Sequence, residues 1–157
     1  MSEPATAKTL LIVYHTQSGA SGMLARAAWR GAALEPEVAV KVLRAWDADT
    51  QALSSADGLL LVAAENSGTL AGSMKDFLDR TFYPAIERGL VLPCAVIISA
   101  GNDGRGAQGQ LTRILSGYPF PVAAEPLILR GEVTDAHETA AGELGQAFAA
   151  GLSMGIY

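Results

Sequence analysis

The stretch Lys8–Ala32, KTLLIVYHTQSGASGMLARAAWRGA, decides how the rest of the chain is read. Its first part is an apolar run, Leu10 to Val13, bounded by polar residues and too short for a helix, which predicts a buried strand. Its last part repeats Leu24, Ala27, Ala28 and Ala32 near helical spacing and predicts an amphipathic helix. Between them lie Thr16, Gln17, Ser18, Gly19, Ala20 and Ser21, hydroxyls alternating with small residues at a strand-to-helix corner. A helix entered this way begins with unpaired backbone N–H groups and the positive end of its dipole. Gly19 lets the backbone approach a ligand, and three hydroxyls stand beside it. The corner is therefore expected to cradle a phosphate without a lysine or arginine in the loop.

Working outward, 157 residues of which 50% are hydrophobic predict a single domain over residues 1–157 with an ample core. The net charge of −5, with no Lys/Arg run, argues against nucleic acid or an anionic membrane as a partner. No apolar run reaches the ~18 residues that membrane insertion needs. The opening MSEPATAK lacks the apolar centre of a signal peptide, so a cytoplasmic protein is expected. Cys94, the lone cysteine, sits in the apolar run LPCAVII and reads as an inert core thiol. With the two histidines far apart, no metal is indicated.

Past the first helix, Glu37 to Leu43 alternates Val38, Val40 and Val42 with Glu37, Ala39 and Lys41, as an edge strand does. Ala48 to Ala56 reads as a short helix or turn. Asp57 to Ala63 and Leu92 to Ser99 are continuous apolar runs of the kind that strands covered on both faces show. A helix starting near Ser73 carries Met74, Phe77, Leu78, Thr81 and Phe82 on one face and is expected to end at Pro84. A further helix carries Leu111, Ile114 and Leu115. Pro126 to Arg130 reads as a fifth strand, and Thr134 caps a last helix. Five strands alternating with helices predict a doubly wound α/β domain with a five-stranded parallel sheet in the order 2-1-3-4-5. Its switch point lies between the first and third strands, where the loops 16–21, 64–72 and 100–107 converge.

The pattern [ST]-x-[ST]-G-x-[ST], met by Thr16, Ser18, Gly19 and Ser21, resembles the FMN-phosphate loop of flavodoxin-like flavoproteins. A second segment, AENSGTLAGSMKDFLDR, resembles one in NAD(P)H-dependent FMN reductases and related quinone reductases. Gly68, Gly72, Lys75, Phe77, Asp79 and Arg80 fall at matching positions, while Ala64 stands where that family usually has proline or a neighbouring residue. The two segments occur in the right order, and the resemblance covers nearly the whole chain. It implies a flavodoxin-like fold and bound FMN, with Thr16–Ser21 on the phosphate and Glu65, Asn66, Ser67, Gly68 and Thr69 along the isoalloxazine ring. Asn66 would then bond a ring carbonyl or nitrogen. The third loop, with Ala100, Gly101, Asn102, Asp103 and Gly104, would cover the other side.

Residues Gly104 to Gly109 also spell GxGxxG, the dinucleotide fingerprint. That fingerprint belongs to the first strand of a sheet, with an acid ending the next strand ~20 residues on. Here it follows the fourth strand and the acid comes later, so the flavin-edge reading is preferred. The acid pair of a receiver domain and the GxSxG elbow of a hydrolase are both missing. His15 reads as a solvent-facing corner residue, Trp29 and Trp46 as packing residues, and Asp79 with Arg80 as a bracing pair.

The resemblance leaves two functions open. One is an oxidoreductase passing hydride from NADH or NADPH, through flavin N5, to a quinone, free flavin or other small-molecule electron acceptor. The other is a flavodoxin-type one-electron carrier for protein partners. Residues 64–72 and 100–107 contain no Phe, Tyr or Trp, unlike the aromatic sandwich usual in flavodoxins, and this favours the enzyme. A homodimer or higher oligomer, with Phe82, Tyr83 and Pro84 completing a neighbour's flavin face, is a further implication. A flavin fold that has lost its redox role is a third reading, since Ala64 departs from the pattern.

Overall fold

A computed structural model describes residues 7–157; the first six, part of the opening segment read for its lack of a signal peptide, lie outside the described residues. Five parallel strands run in the order β2-β1-β3-β5-β6: β1 Lys8–Tyr14, β2 Val38–Arg44, β3 Gly58–Asn66, β5 Cys94–Ala100 and β6 Leu127–Arg130. The two-residue β4, Thr69–Leu70, folds back antiparallel on β3. With β4 set aside, this is the expected 2-1-3-4-5 order. The chain has the flavodoxin-like fold.

The central runs are apolar throughout because both faces of the sheet are covered. Leu10, Ile12, Leu60, Val62 and Ile97 face α1, Ala20–Ala32, and α5, Asp135–Met154. Leu11, Val13, Leu59, Leu61, Val96 and Ile98 face α2, Thr50–Ser54, α3, Gly72–Glu87, and α4, Arg105–Gly117. On the first face the two helices meet backbone to backbone: a Cβ on Gly31 would be driven into the Gly142 carbonyl, and one on Gly145 into that of Ala28. On the second face large side chains fill the space. Phe77, Tyr118 and Phe120 are buried, and the Tyr118 hydroxyl donates to the Leu78 carbonyl at 2.6 Å and lies 2.8 Å from Thr81 Oγ1.

Several local expectations are corrected. Helix α3 does not end at Pro84 but continues to Glu87. The proline removes one N–H only a turn from the helix end, and the N–H groups of Arg88 and Leu90 close that end on the carbonyls of Pro84 and Ala85. Arg80 pairs with Asp76 at 2.8 Å and Asp79 with Lys75 at 2.7 Å, because neighbours on a helix point apart while residues four apart meet. Arg80 does brace the domain, through the carbonyls of Ala45 and Ala48 at 2.9 and 3.0 Å. Trp29 and Trp46 are 43% and 54% exposed, so neither is a core packing residue. His15 is 7% exposed, under the edge of the Trp46 ring at 5.6 Å, rather than facing solvent. The loop expected over 100–107 is shorter, since Arg105, Gly106 and Ala107 already lie within α4.

Candidate functional site

The β1–α1 corner turns through Gly19, whose φ of +100° favours glycine and whose missing side chain would project into open space. Thr16 Oγ1 accepts the Gly19 N–H at 2.9 Å and holds the turn. Ser21 is buried and its hydroxyl donates to the Ala63 carbonyl of β3 at 3.4 Å, tying the helix start to the central strand. The first main-chain bond of α1 at this end runs from Met23 N–H to the Gly19 carbonyl, and no side chain caps the helix. The N–H groups of Ala20, Ser21 and Gly22 are thus presented together, with the helix dipole behind them. This is an uncapped helix start built of main chain, at the corner where the sequence leads one to expect a phosphate.

The second loop is a hairpin. β3 runs on to Asn66, and the chain reverses through Ser67 at φ 51° and Gly68 at φ 76°, the two positive angles of a tight two-residue turn. The Asn66 amide donates to Gln17 Oε1 at 2.9 Å and links this hairpin to the cradle loop. The Glu65 carboxylate accepts the N–H of Gly104 at 2.9 Å and of Ala107 at 3.0 Å, capping α4. Gln110 on α4 accepts the Leu70 N–H at 2.6 Å, and a side chain at Gly106 would strike the Gly68 carbonyl. The second and third loops are therefore one bonded unit. The same contacts argue against the GxGxxG segment as a pyrophosphate site, because carboxylates already take the Gly104, Arg105 and Ala107 N–H groups of that helix start.

In the third loop Arg105 pairs with Asp103 at 2.7 Å, and the guanidinium holds the Asp103 carboxyl below its usual range. Arg130 Nε donates to the Asp103 carbonyl at 2.6 Å. Burial, with Arg44 nearby, lowers the His15 pKa and favours the neutral ring.

These loops enclose a cleft of about 690 Å³ at the switch point. Of the expected residues, Thr16, Gln17, Ser18, Ala20, Ser21, Glu65, Asn66, Ala100 and Gly101 line it. Gly19 lines the groove on the far side of the corner, and Ser67, Gly68, Thr69, Asn102, Asp103 and Gly104 stand outside the cleft lining. The structure adds Met23, Ala64, Ser99 and the turn after β6, Gly131, Glu132 and Val133. That turn follows the carboxyl end of the last strand, which was the available signal. The cleft lining holds no aromatic ring and no cation. No group of three or more His, Cys, Asp or Glu suited to a metal forms among the described residues, and no helix among them is long and apolar enough to cross a membrane.

The fold is shared with solved flavin proteins. The flavodiiron core Flv1 of Synechocystis sp. PCC6803 superposes with a TM-score of 0.81 at 22% identity, over 96% of this chain and 37% of that one. A flavodoxin from the domain Archaea gives 0.80 at 19% identity, over 92% and 99% of the two chains. A WrbA-like flavodoxin from Agrobacterium tumefaciens gives 0.74 at 16%, over 94% and 98%. The chain thus spans about a third of the flavodiiron core and nearly the whole of the other two. At these identities the likeness defines the fold. No family model matches the sequence, and no curated protein sequence matches it.

Proposed function

We propose that the chain is an FMN-binding flavoprotein and, more narrowly, an NAD(P)H-dependent oxidoreductase serving a small-molecule acceptor. The residues fit the cofactor: an uncapped helix start, a glycine whose absent side chain leaves the approach open, and a cleft of ligand size at the switch point of the sheet. The N–H groups of Ala20, Ser21 and Gly22, with Ser18, would hold the phosphate. Asn66, Ala100 and Gly101 would border the ring, with Glu132 across the cleft. A bound flavin would supply the redox chemistry, taking two electrons from a reduced nicotinamide and passing them on. The chain itself orients the ring, and its bonded hairpin–α4 wall shields one side.

The observation that carries the enzyme reading is the aromatic-free cleft. With no side-chain ring lining it, a flavin face stays open to a planar nicotinamide or acceptor. The carrier reading rests on the near full-length match to a flavodoxin. An anaerobic titration of the FMN-loaded protein with NADPH and then NADH separates them. Bleaching of the visible flavin band by either nucleotide is expected for the reductase. A band that neither nucleotide changes, and that dithionite reduces in one-electron steps, would make the protein a carrier. The cradle has its own test: Gly19→Val is expected to abolish FMN binding while the domain stays folded, and retained flavin would overturn the assignment. For assembly, Tyr83, 77% exposed, is the residue of the Phe82–Pro84 segment free to meet a second copy, and sedimentation checks whether one forms.

A further inference from the structure

A second groove, of about 700 Å³, lies against the cradle on the side away from the ring-end loops, between α1 and the edge strand β2. It begins at the corner itself, since Thr16, Gly19 and Gly22 line it, and no residue of 64–72 or 100–107 does. Whatever enters it therefore approaches the phosphate end of the flavin site. Its walls carry Arg26, Arg30 and Arg44 in a chain whose net charge is −5. Arg44 already donates to the Tyr14 hydroxyl at 3.3 Å and lies over the Trp46 ring. Arg26 and Arg30, both exposed, form no ion pair with a carboxylate among the described residues. Beside them the groove offers Trp29 and Tyr14, and the alternate side chains Val40 and Val42 of β2. Glu138 is its one carboxylate.

We propose that this groove receives the adenylate half of a flavin dinucleotide, so that the chain binds FAD, and binds it more tightly than FMN. The inference rests on the flavin reading above and extends it by one phosphate and one nucleoside. A pyrophosphate leaving the cradle would cross Gly19 and Gly22, which present no side chain, and meet Arg26 and Arg30. Guanidinium groups suit that diphosphate, and an adenine finds flat partners in the half-exposed Trp29 and in Tyr14. The placement argues against the adenosine of a nicotinamide dinucleotide, whose reactive end would have to reach the ring, at the opposite end of the flavin.

The test is calorimetric titration of the apoprotein with FMN, FAD and, on the FMN-loaded protein, NADPH. The expected result is FAD binding ~10-fold or more tighter than FMN, with the gain lost in Arg26→Gln/Arg30→Gln while FMN affinity is unchanged. Both substitutions are exposed on α1, and unchanged circular dichroism verifies that the variant folds. FAD equal to or weaker than FMN overturns the proposal and leaves the flavin reading intact. NADPH affinity that depends on the two arginines, without an FAD preference, assigns the groove to the other dinucleotide and also overturns it. Binding of neither flavin overturns both.

Discussion

The two faces of the sheet are built by opposite means. On the α1/α5 face the helices touch through Gly31, Gly142 and Gly145, so main chain lies on main chain and there is no side chain to adjust. On the α3/α4 face, Phe77, Tyr118 and Phe120 fill the gap, and Thr81, Tyr118 and Arg80 add directed hydrogen bonds. The first face carries the start of α1, the proposed phosphate corner, and the second carries the hairpin–α4 wall proposed to border the ring. The phosphate site proposed above, made of N–H groups, would need a helix that cannot shift, and the glycine seam provides one. A wall made from loops needs bonds, and Glu65, Gln110 and Gln17 provide them.

The largest expected effect breaks the seam. Gly31→Val forces a branched side chain against the Gly142 carbonyl, where neither helix can give, and is expected to cost ~5 kcal/mol or to prevent folding. Urea denaturation measures it; a loss under 1 kcal/mol would show that the helices part easily. Phe77→Ala probes the opposite face, and removal of a fully buried ring should cost about 3–5 kcal/mol by the same assay.

Alkali sharpens the contrast further. Burial pushes the Tyr118 hydroxyl up to about 12, so above pH 10 the unfolded chain releases this proton before the folded one does. Stability should fall as pH rises from 10, by roughly 2–3 kcal/mol at pH 12, and Tyr118→Phe should remove that part of the slope.

Glu65→Gln replaces one acceptor oxygen with a donor facing an N–H, and about 1–3 kcal/mol is expected to be lost, with faster hydrogen exchange at Ala107. The smallest effect belongs to His15. Its pKa is lowered by folding, so its contribution is complete above pH 6.5 and declines as the pH falls below that value. His15→Asn should flatten thermal midpoints measured between pH 7 and 5.

Much of this was legible in the sequence because each feature is local. Periodicity marked the strands and helices, and a Ser/Thr/Gly run after a strand marked the corner at which α1 begins. What escaped depends on partners far along the chain. Glu65 reads as a ring-lining loop residue until α4 is brought beside it, 39 residues away at Gly104. The hairpin at Ser67-Gly68 carried a turn dipeptide, yet its strand is only two residues long and leaves almost no periodic signal. His15 and Trp46 exchange their expected environments because one shelters the other. Pro84 reads as a terminator, but the buried Ala85 holds the last turn of α3 in place.

The bonded union of hairpin and α4 bears on timing as well as shape. A wall held by Glu65 and Gln110 is already bonded before a ligand arrives, so little ordering entropy should be spent when one does. On the flavin reading proposed above, uptake should then be a single bimolecular encounter, its observed rate rising in proportion to flavin concentration without levelling off. Stopped-flow quenching of flavin fluorescence would reveal this, and a plateau would expose a slow gate.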